Sequence, residues 1–189
     1  MKPLETERLY LRPFTDEDFE IHRVVFSDPV VCKYYCGRTR TEQETREWLI
    51  HRRWQVKGED EPGFLCVVRK EDNQILGLVA LQLFLGIWLR FEDDPDAFCH
   101  PLMVELSYAF GQEFQGQGYA TEACRELVRY GFEELRIPRL TNGIDPDNTP
   151  SNRMCERLGF QQVPNVHPDS PGYVWILDNP AGKSLSGEA

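Results

Sequence analysis

Two glycines one residue apart, in Gln115-Gly116-Gln117-Gly118-Tyr119-Ala120, separate a stretch that alternates like a strand from a stretch with helical periodicity. Upstream, Val104, Leu106, Tyr108 and Phe110 fall on one face and Glu105, Ser107 and Ala109 on the other, the period of two that a half-buried strand requires. Downstream, Ala120, Ala123, Cys124, Leu127, Val128, Gly131 and Leu135 form one helical stripe that ends before Pro138. Strand, glycine turn and helix in succession commit the chain to layers in which helices cover a sheet. The turn also sets several backbone N–H groups at a helix N-terminus. Such a site favours phosphate, because the amides lack partners and the helix dipole adds about 0.3–1 kcal/mol of favourable field. Glycine permits both the turn dihedrals and the close approach of a diphosphate. Taken alone, the spacing equally suits a plain turn between strand and helix. It does exclude two other phosphate loops: a dinucleotide fingerprint needs glycine where Thr121 stands, and a P-loop needs Gly-Lys-Ser/Thr, which is absent.

The rest of the chain supplies the layers. Alternation at Leu9, Leu11 and Pro13 predicts a short strand, and Thr15-Asp16-Glu17-Asp18 offers caps for a helix running to about Phe26. Ser27-Asp28-Pro29 reads as a break. Thr41 and Glu44 make a capping box for a second helix that carries Trp48, Leu49 and Trp54 and ends near Gly58. Strands over 64–69 and 75–84 are joined by a polar hairpin connection, and acidic residues 92–96 read as a loop. After Pro138 come a strand over 139–144, a helix capped by Asn148 or Thr149 and closed by Gly159 as a left-handed cap, and strands over 160–163 and 173–177. A chain of 189 residues, 41% hydrophobic and 12% aromatic, has core enough for one domain, expected over 1–178. The Gly-, Ser- and Pro-rich stretch 179–189 reads as a disordered tail.

The opening residues lack the apolar core of a signal peptide, so a cytoplasmic protein is expected. Six cysteines without that signal read as reduced thiols, and Cys32 and Cys36, with no second pair or histidine cluster nearby, give no reason to expect a metal. The net charge of −10 disfavours nucleic acid and anionic membranes as partners and mildly favours a cationic one. A homodimer is the default association.

The loop resembles the pyrophosphate-binding motif of the GNAT superfamily of N-acetyltransferases, Gln/Arg-x-x-Gly-x-Gly/Ala, with Gln115, Gly118 and Ala120 in register. Three further segments carry the resemblance across most of the chain. Thr6-Glu7-Arg8-Leu9-Tyr10-Leu11-Arg12-Pro13-Phe14 and Tyr119-Ala120-Thr121-Glu122-Ala123 are similar to the branch that acetylates ribosomal-protein N-termini. Asn148-Thr149-Pro150-Ser151 with Arg157-Leu158-Gly159-Phe160 is similar to its Asn-x-x-Ser…Lys-x-Gly-Phe segment, with Arg for Lys. The resemblance implies an α/β (α+β) fold with a central mixed, mostly antiparallel sheet flanked by helices, and acetyl-coenzyme A as co-substrate. It implies that the main chain of Tyr108, Ala109 and Phe110 pairs with the pantetheine arm. The diphosphate would sit at Gln115, Gly116, Gln117, Gly118, Tyr119, Ala120 and Thr121, with Asn148 and Ser151 contacting the cofactor from the facing helix. Both of those also have a reading as helix-cap residues.

Acetyl transfer to an amine needs a neutral nucleophile, so something must take the ammonium proton. Glu105, a carboxylate beside the strand that would hold the thioester, is the candidate catalytic base; pairing with a nearby Arg is its structural alternative. His100 and His167 flank the expected acceptor region and read as surface histidines. Many relatives place a tyrosine where Cys155 stands, and Cys155, spaced with Met154 and Leu158, reads as a small buried side chain rather than an acid. The acceptor, an amine on a peptide N-terminus or a small molecule, would meet Tyr34, Tyr35, Trp48, Trp54, Trp88 and residues 91–100, rings that equally suit core packing. A non-catalytic acyl-coenzyme A binder on the same fold would keep the loop and dispense with Glu105.

Overall fold

The sheet grows outward from its most apolar strands. The computed structural model, which describes residues 1–55, 60–85, 102–166 and 172–181, places the nonpolar runs at its centre. These are β3 (Phe64–Arg69) and β4 (Ile75–Leu85), with β1 (Leu4–Glu5), β2 (Leu9–Arg12), β5 (Leu102–Phe110), β6 (Arg139–Asn142), β7 (Gln161–Asn165) and β8 (Gly172–Asp178) on either side. The strand order is β1-β2-β3-β4-β5-β6-β8-β7. Every neighbouring pair is antiparallel except β5 with β6, so the mixed, mostly antiparallel sheet expected above is present. Among the described residues no helix is long and apolar enough to cross a membrane.

Helices cover both faces. The stripe after Gly118 forms α3 (Tyr119–Glu133), burying Ala123, Cys124, Leu127 and Tyr130. A Cβ on Gly131 would lie 3.1 Å from Leu81 Cδ1, so this glycine sits where the helix presses closest on the sheet. Leu81 pairs with Leu106, which puts Leu106 on the α3 face and Glu105 and Ser107 on the opposite one. That second face is covered by α1 (Pro29–Tyr35) and α2 (Glu42–Gln55), where Trp48 meets Phe14, Phe26 and Phe64 edge-on at centroid distances of 5.2, 4.8 and 5.8 Å. Trp48 is therefore a core ring, and each such buried large side chain contributes about 1.5–3 kcal/mol. The described cysteines, Cys32, Cys36, Cys66, Cys124 and Cys155, are free thiols.

Three local readings change. The expected single helix to Phe26 is a 3-10 turn, Asp18–Glu20, followed by a π-helical turn, His22–Phe26. The expected break at 27–29 is instead the start of α1: Asp28 accepts from Val30 N at 2.8 Å, and Pro29 takes the first helical position, where a missing N–H does no harm. The tail expected from 179 is anchored at its first residue. Buried Asn179 donates to Phe132 O and Ile137 O, tying the end of β8 to the α3–β6 turn, while 182–189 lies outside the described residues. The end of the second helix near Gly58 and the acidic loop 92–96 also fall outside them.

The turn after β2 hangs on one carboxylate. Asp18, 3% exposed, accepts from Arg12 Nη1 at 2.7 Å, Arg12 Nη2 at 2.6 Å, Thr15 N at 2.7 Å and Thr15 Oγ1 at 3.0 Å. Burial pushes its carboxyl up, but the Arg12 and Thr15 donors outweigh burial and hold it below the ordinary value. A carboxylate lowered on folding contributes stability above its unfolded pKa, about 3.9, and loses it as pH falls through the folded value. Asp18→Asn is therefore expected to destabilise by about 1–3 kcal/mol at neutral pH. Urea unfolding should show a midpoint gap from wild type that is constant from about pH 7 to 5 and closes below about pH 4. A gap that persists undiminished in acid would assign the loss to shape rather than charge.

Candidate functional site

Strand β5 is paired along its whole length on one side and abandoned halfway on the other. It meets β4 from Leu102 to Phe110, but meets β6 only at Val104↔Leu140 and Glu105↔Thr141. β6 ends at Asn142, and the chain then turns away through Gly143 towards α4 (Thr149–Leu158). Asn152, which the sequence reading passed over, holds that turn: its Nδ2 lies 3.1 Å from Asp145 O, 3.3 Å from Pro146 O and 3.1 Å from Asn148 O, while its Oδ1 accepts from Trp175 Nε1 at 2.9 Å. Residues 106–110 of β5 thus present a strand edge of about 17 Å inside a fork, able to pair with an extended ligand. Tyr108, Ala109 and Phe110 lie on that stretch, as expected.

Glycine presses the strand from its paired side. A Cβ on Gly77 would lie 2.1 Å from Ala109 O and 2.8 Å from Phe110 Cα, so only a residue without a side chain lets β4 approach the far end of β5.

Beyond Phe110 a 3-10 turn, Gln112–Phe114, leads into the glycine loop. Gly116 and Gly118 are left-handed at φ +75° and +83°, and Gly118 is the N-cap of α3 with no side chain capping the helix. Glu122 N is the first amide to reach the helix ladder, at Gly118 O, which leaves the N–H groups of Tyr119, Ala120 and Thr121 facing outward from the first turn. Residues 115–118 are exposed. The two glutamines turn back rather than out: Gln115 Nε2 donates to Phe110 O at 3.1 Å and Gln117 Nε2 to Glu113 O at 2.8 Å. The loop therefore offers main-chain amides, with its side chains spent on its own shape. This is the donor set that suits a diphosphate.

Two residues missed by the sequence reading brace the loop from behind. Glu122 accepts from Thr6 Oγ1, Arg8 N and Arg8 Nε at 2.6, 2.9 and 2.6 Å, and the Arg8 guanidinium lies 4.4 Å from the Tyr119 ring centroid. Both stood in the segments Thr6–Phe14 and 119–123; their contact across 114 residues had no sequence signal.

Glu105 sits at the vertex of the fork. Gln82 Nε2 donates to its Oε2 at 2.6 Å, and Gly143 N approaches Oε1 at 3.4 Å. Among the described residues no arginine or lysine pairs with it. On the same face Ser107 meets Tyr35, whose phenol burial pushes up. On the other face the Tyr108 hydroxyl is buried beside Ser151, Asn142 and Cys155. Cys155 is fully buried, and burial pushes its thiol up to about 12, which keeps it protonated at neutral pH. Asn148 Oδ1 accepts from Ser151 N at 3.4 Å, so Asn148 serves as the cap of α4. Ser151 lies with Tyr108 on the fork's α3 side, and Glu105 lies across the sheet from it. His100 and His167, with Trp54, Trp88 and residues 91–100, fall outside the described side chains.

Comparison with known proteins places this arrangement. The acetyltransferase (GNAT) domain family matches residues 8–161. An uncharacterized N-acetyltransferase of Bacillus licheniformis, p20, is 28% identical over 162 residues, 86% of this chain and 84% of that protein. The crystal structure of an acetyltransferase from Agrobacterium tumefaciens is 26% identical, covers 94% of both chains and superposes with a TM-score of 0.70. RimL, a ribosomal alpha-N-protein acetyltransferase in complex with coenzyme A, shares the fold at a TM-score of 0.71 and 14% identity, covering 93% of this chain and 97% of its own.

Gly77→Ala tests what holds the fork open. The added methyl meets backbone, which cannot yield as a flexible side chain would, so a destabilisation of about 1–3 kcal/mol is expected. Hydrogen exchange should show protection lost at Gly111, whose N–H bonds Leu76 O, before it is lost at Leu106. Unchanged protection there would show that β5 does not depend on this contact.

Proposed function

As a member of the GNAT acetyltransferase family the chain is an N-acetyltransferase that uses acetyl-coenzyme A, and we propose that it acetylates a primary amine by direct attack in a ternary complex, with Glu105 as base. The observation that carries this reading is the single strand joining both ends of the reaction. β5 has Glu105 at the vertex of the fork, an open edge over 106–110, and the amide-lined loop just past its C-terminal end. An extended arm lying along that edge has its diphosphate at the outward amides of 118–121 and its acyl end beside Glu105. The sheet edge orients the thioester, and the second face of the sheet, under α1 and α2, admits the amine.

Gln82 holds Oε2 of Glu105, and the 3.4 Å contact from Gly143 N leaves Oε1 able to accept a proton, directly or through a water. Glu105 removes the proton from the acceptor ammonium. The neutral nitrogen then forms its bond to the acyl carbon as the carbon–sulfur bond breaks; the nitrogen releases its second proton to solvent to give the neutral amide, and the thiolate takes a proton from solvent. The protonated Cys155 is too deeply buried to be that donor. The acceptor class is a protein or peptide N-terminus or a small amine. The segments at Thr6–Phe14 and Tyr119–Ala123 favour the branch that acts on ribosomal-protein N-termini, and an acidic chain attracts a cationic acceptor.

Two variants test the two halves. Gly118→Val places a β-branched residue at φ +83°, where the loop must approach the diphosphate, and should abolish binding of acetyl-coenzyme A in calorimetry while the protein stays folded. Undiminished affinity would remove the loop from the site. Glu105→Gln keeps the size of the side chain but takes no proton, so it should leave acetyl-coenzyme A affinity nearly unchanged and slow turnover about 10²-fold or more at neutral pH. Alkaline buffer deprotonates the free amine without help, so the deficit should shrink as pH rises. Wild-type turnover at pH 7 would exclude Glu105 as base, and a deficit that ignores pH would make it a binding residue.

A further inference from the structure

We propose that Arg8 is a positioning residue for the diphosphate loop: it turns the Gln117 carbonyl away from the ligand and cancels the charge of Glu122, keeping the end of α3 free for an anion. The inference rests on the reading of residues 115–121 as the diphosphate site.

The geometry assigns Arg8 two tasks. Its Nη1 donates to Gln117 O at 3.1 Å. Across a trans peptide the carbonyl of one residue and the N–H of the next point in opposite directions, and no described peptide bond is cis. Holding Gln117 O inward therefore aims Gly118 N–H outward, on the exposed side of the loop. Nη2 stands where it would lie 3.4 Å from a Cβ on Gly118, so the guanidinium packs directly behind that glycine.

The second task is electrostatic. Glu122 is an acidic residue in the first turn of α3, where the helix dipole favours it. A diphosphate competes for the same field, and an unscreened carboxylate there repels it. Arg8 answers with Nε on Oε2 at 2.6 Å and Nη2 on Oε2 at 2.6 Å, while Thr6 Oγ1 and Arg8 N occupy Oε1. All of the carboxylate's acceptors thus face the tip between β1 and β2, away from the outward amides. Burial pushes the Glu122 carboxyl up, and these donors more than reverse it, so the group stays charged and needs its counter-ion.

The experiment uses the full chain and two acetyl donors, acetyl-coenzyme A and acetyl-pantetheine, the second lacking the nucleotide diphosphate. Arg8→Met keeps an apolar stem against Tyr119 and removes both the charge and the donor to Gln117 O. The expected result is a KM for acetyl-coenzyme A raised about 10-fold or more with kcat changed less than about twofold, and a KM for acetyl-pantetheine within about twofold of wild type. Adding Glu122→Gln to Arg8→Met should recover at least about threefold of the lost affinity, because the stranded charge is gone. A general loosening of the fold would raise both donors' KM alike, and that outcome overturns the proposal, as does a wild-type KM in Arg8→Met. Should Arg8→Met fail to fold, Glu122→Gln alone decides. It frees the Arg8 charge beside the loop and predicts coenzyme A affinity equal to or above wild type with a steeper loss in salt, and weaker binding overturns the proposal. Gly118→Val separates the two levels: if it leaves affinity intact the loop reading itself fails, whereas lost affinity there with no effect of Arg8→Met rejects only the role of Arg8.

Discussion

Everything at this site depends on one strand that is gripped on one side and released on the other. β5 keeps its ladder with β4 from end to end, and Gly77 lets the two backbones close to a distance that no side chain would allow. On its far side β6 stops after four residues and the chain is drawn off into the turn pinned by Asn152. An unpaired strand edge is ordinarily a liability, since its amides and carbonyls invite any passing strand. Here the edge lies between α3 on one face of the sheet and α1 on the other, where an extended chain can pair with it.

Charge is handled by local pairing rather than by a cationic surface. The chain is net acidic at −10, and its proposed anion site is built on a glycine N-cap with no side-chain cap. On the reading proposed above, attraction comes from oriented amides at the end of α3, and Arg8 is turned to hold the frame. The same economy appears at Asp18, where Arg12 and two groups of Thr15 satisfy a buried carboxylate completely and so fix the path from β2 to the first turn. Glu105 differs. Among the described residues it meets an amide and a distant N–H instead of a cation, the arrangement on which its proposed role as base rests.

The helix–sheet division was legible where the local signal was strong. The alternation of 103–110 assigned Glu105 and Leu106 to opposite faces, and the pairing of Leu81 with Leu106 under α3 bears that out. Gly159 is left-handed at φ +89°, and Asn148 caps α4. The misread stretches are those where one signal has two meanings. Asp28-Pro29 can end one helix or begin another, and the difference lies in whether later residues find a core, as Val31 and Cys32 do. The run to Phe26 has helical spacing, but the bonds that hold Asp18 tighten its start and the chain relaxes into a wider turn after it.

By itself the sequence determined the elements, the faces of β5 and the glycine loop, because each depends on residues within one or two turns of one another. It could also name Glu105, the carboxylate of that strand. What the tertiary structure decided is how these parts meet: that β5 outruns β6, that Gln115 and Gln117 fold back on the loop, that Cys155 lies beside Tyr108, and that Arg8 reaches Glu122 from the far end of the chain. The physical reason is range. Dihedral preference and periodicity act between neighbours, whereas the release of a strand edge and the neutralisation of a helix-end carboxylate depend on groups that become neighbours only once the sheet has formed.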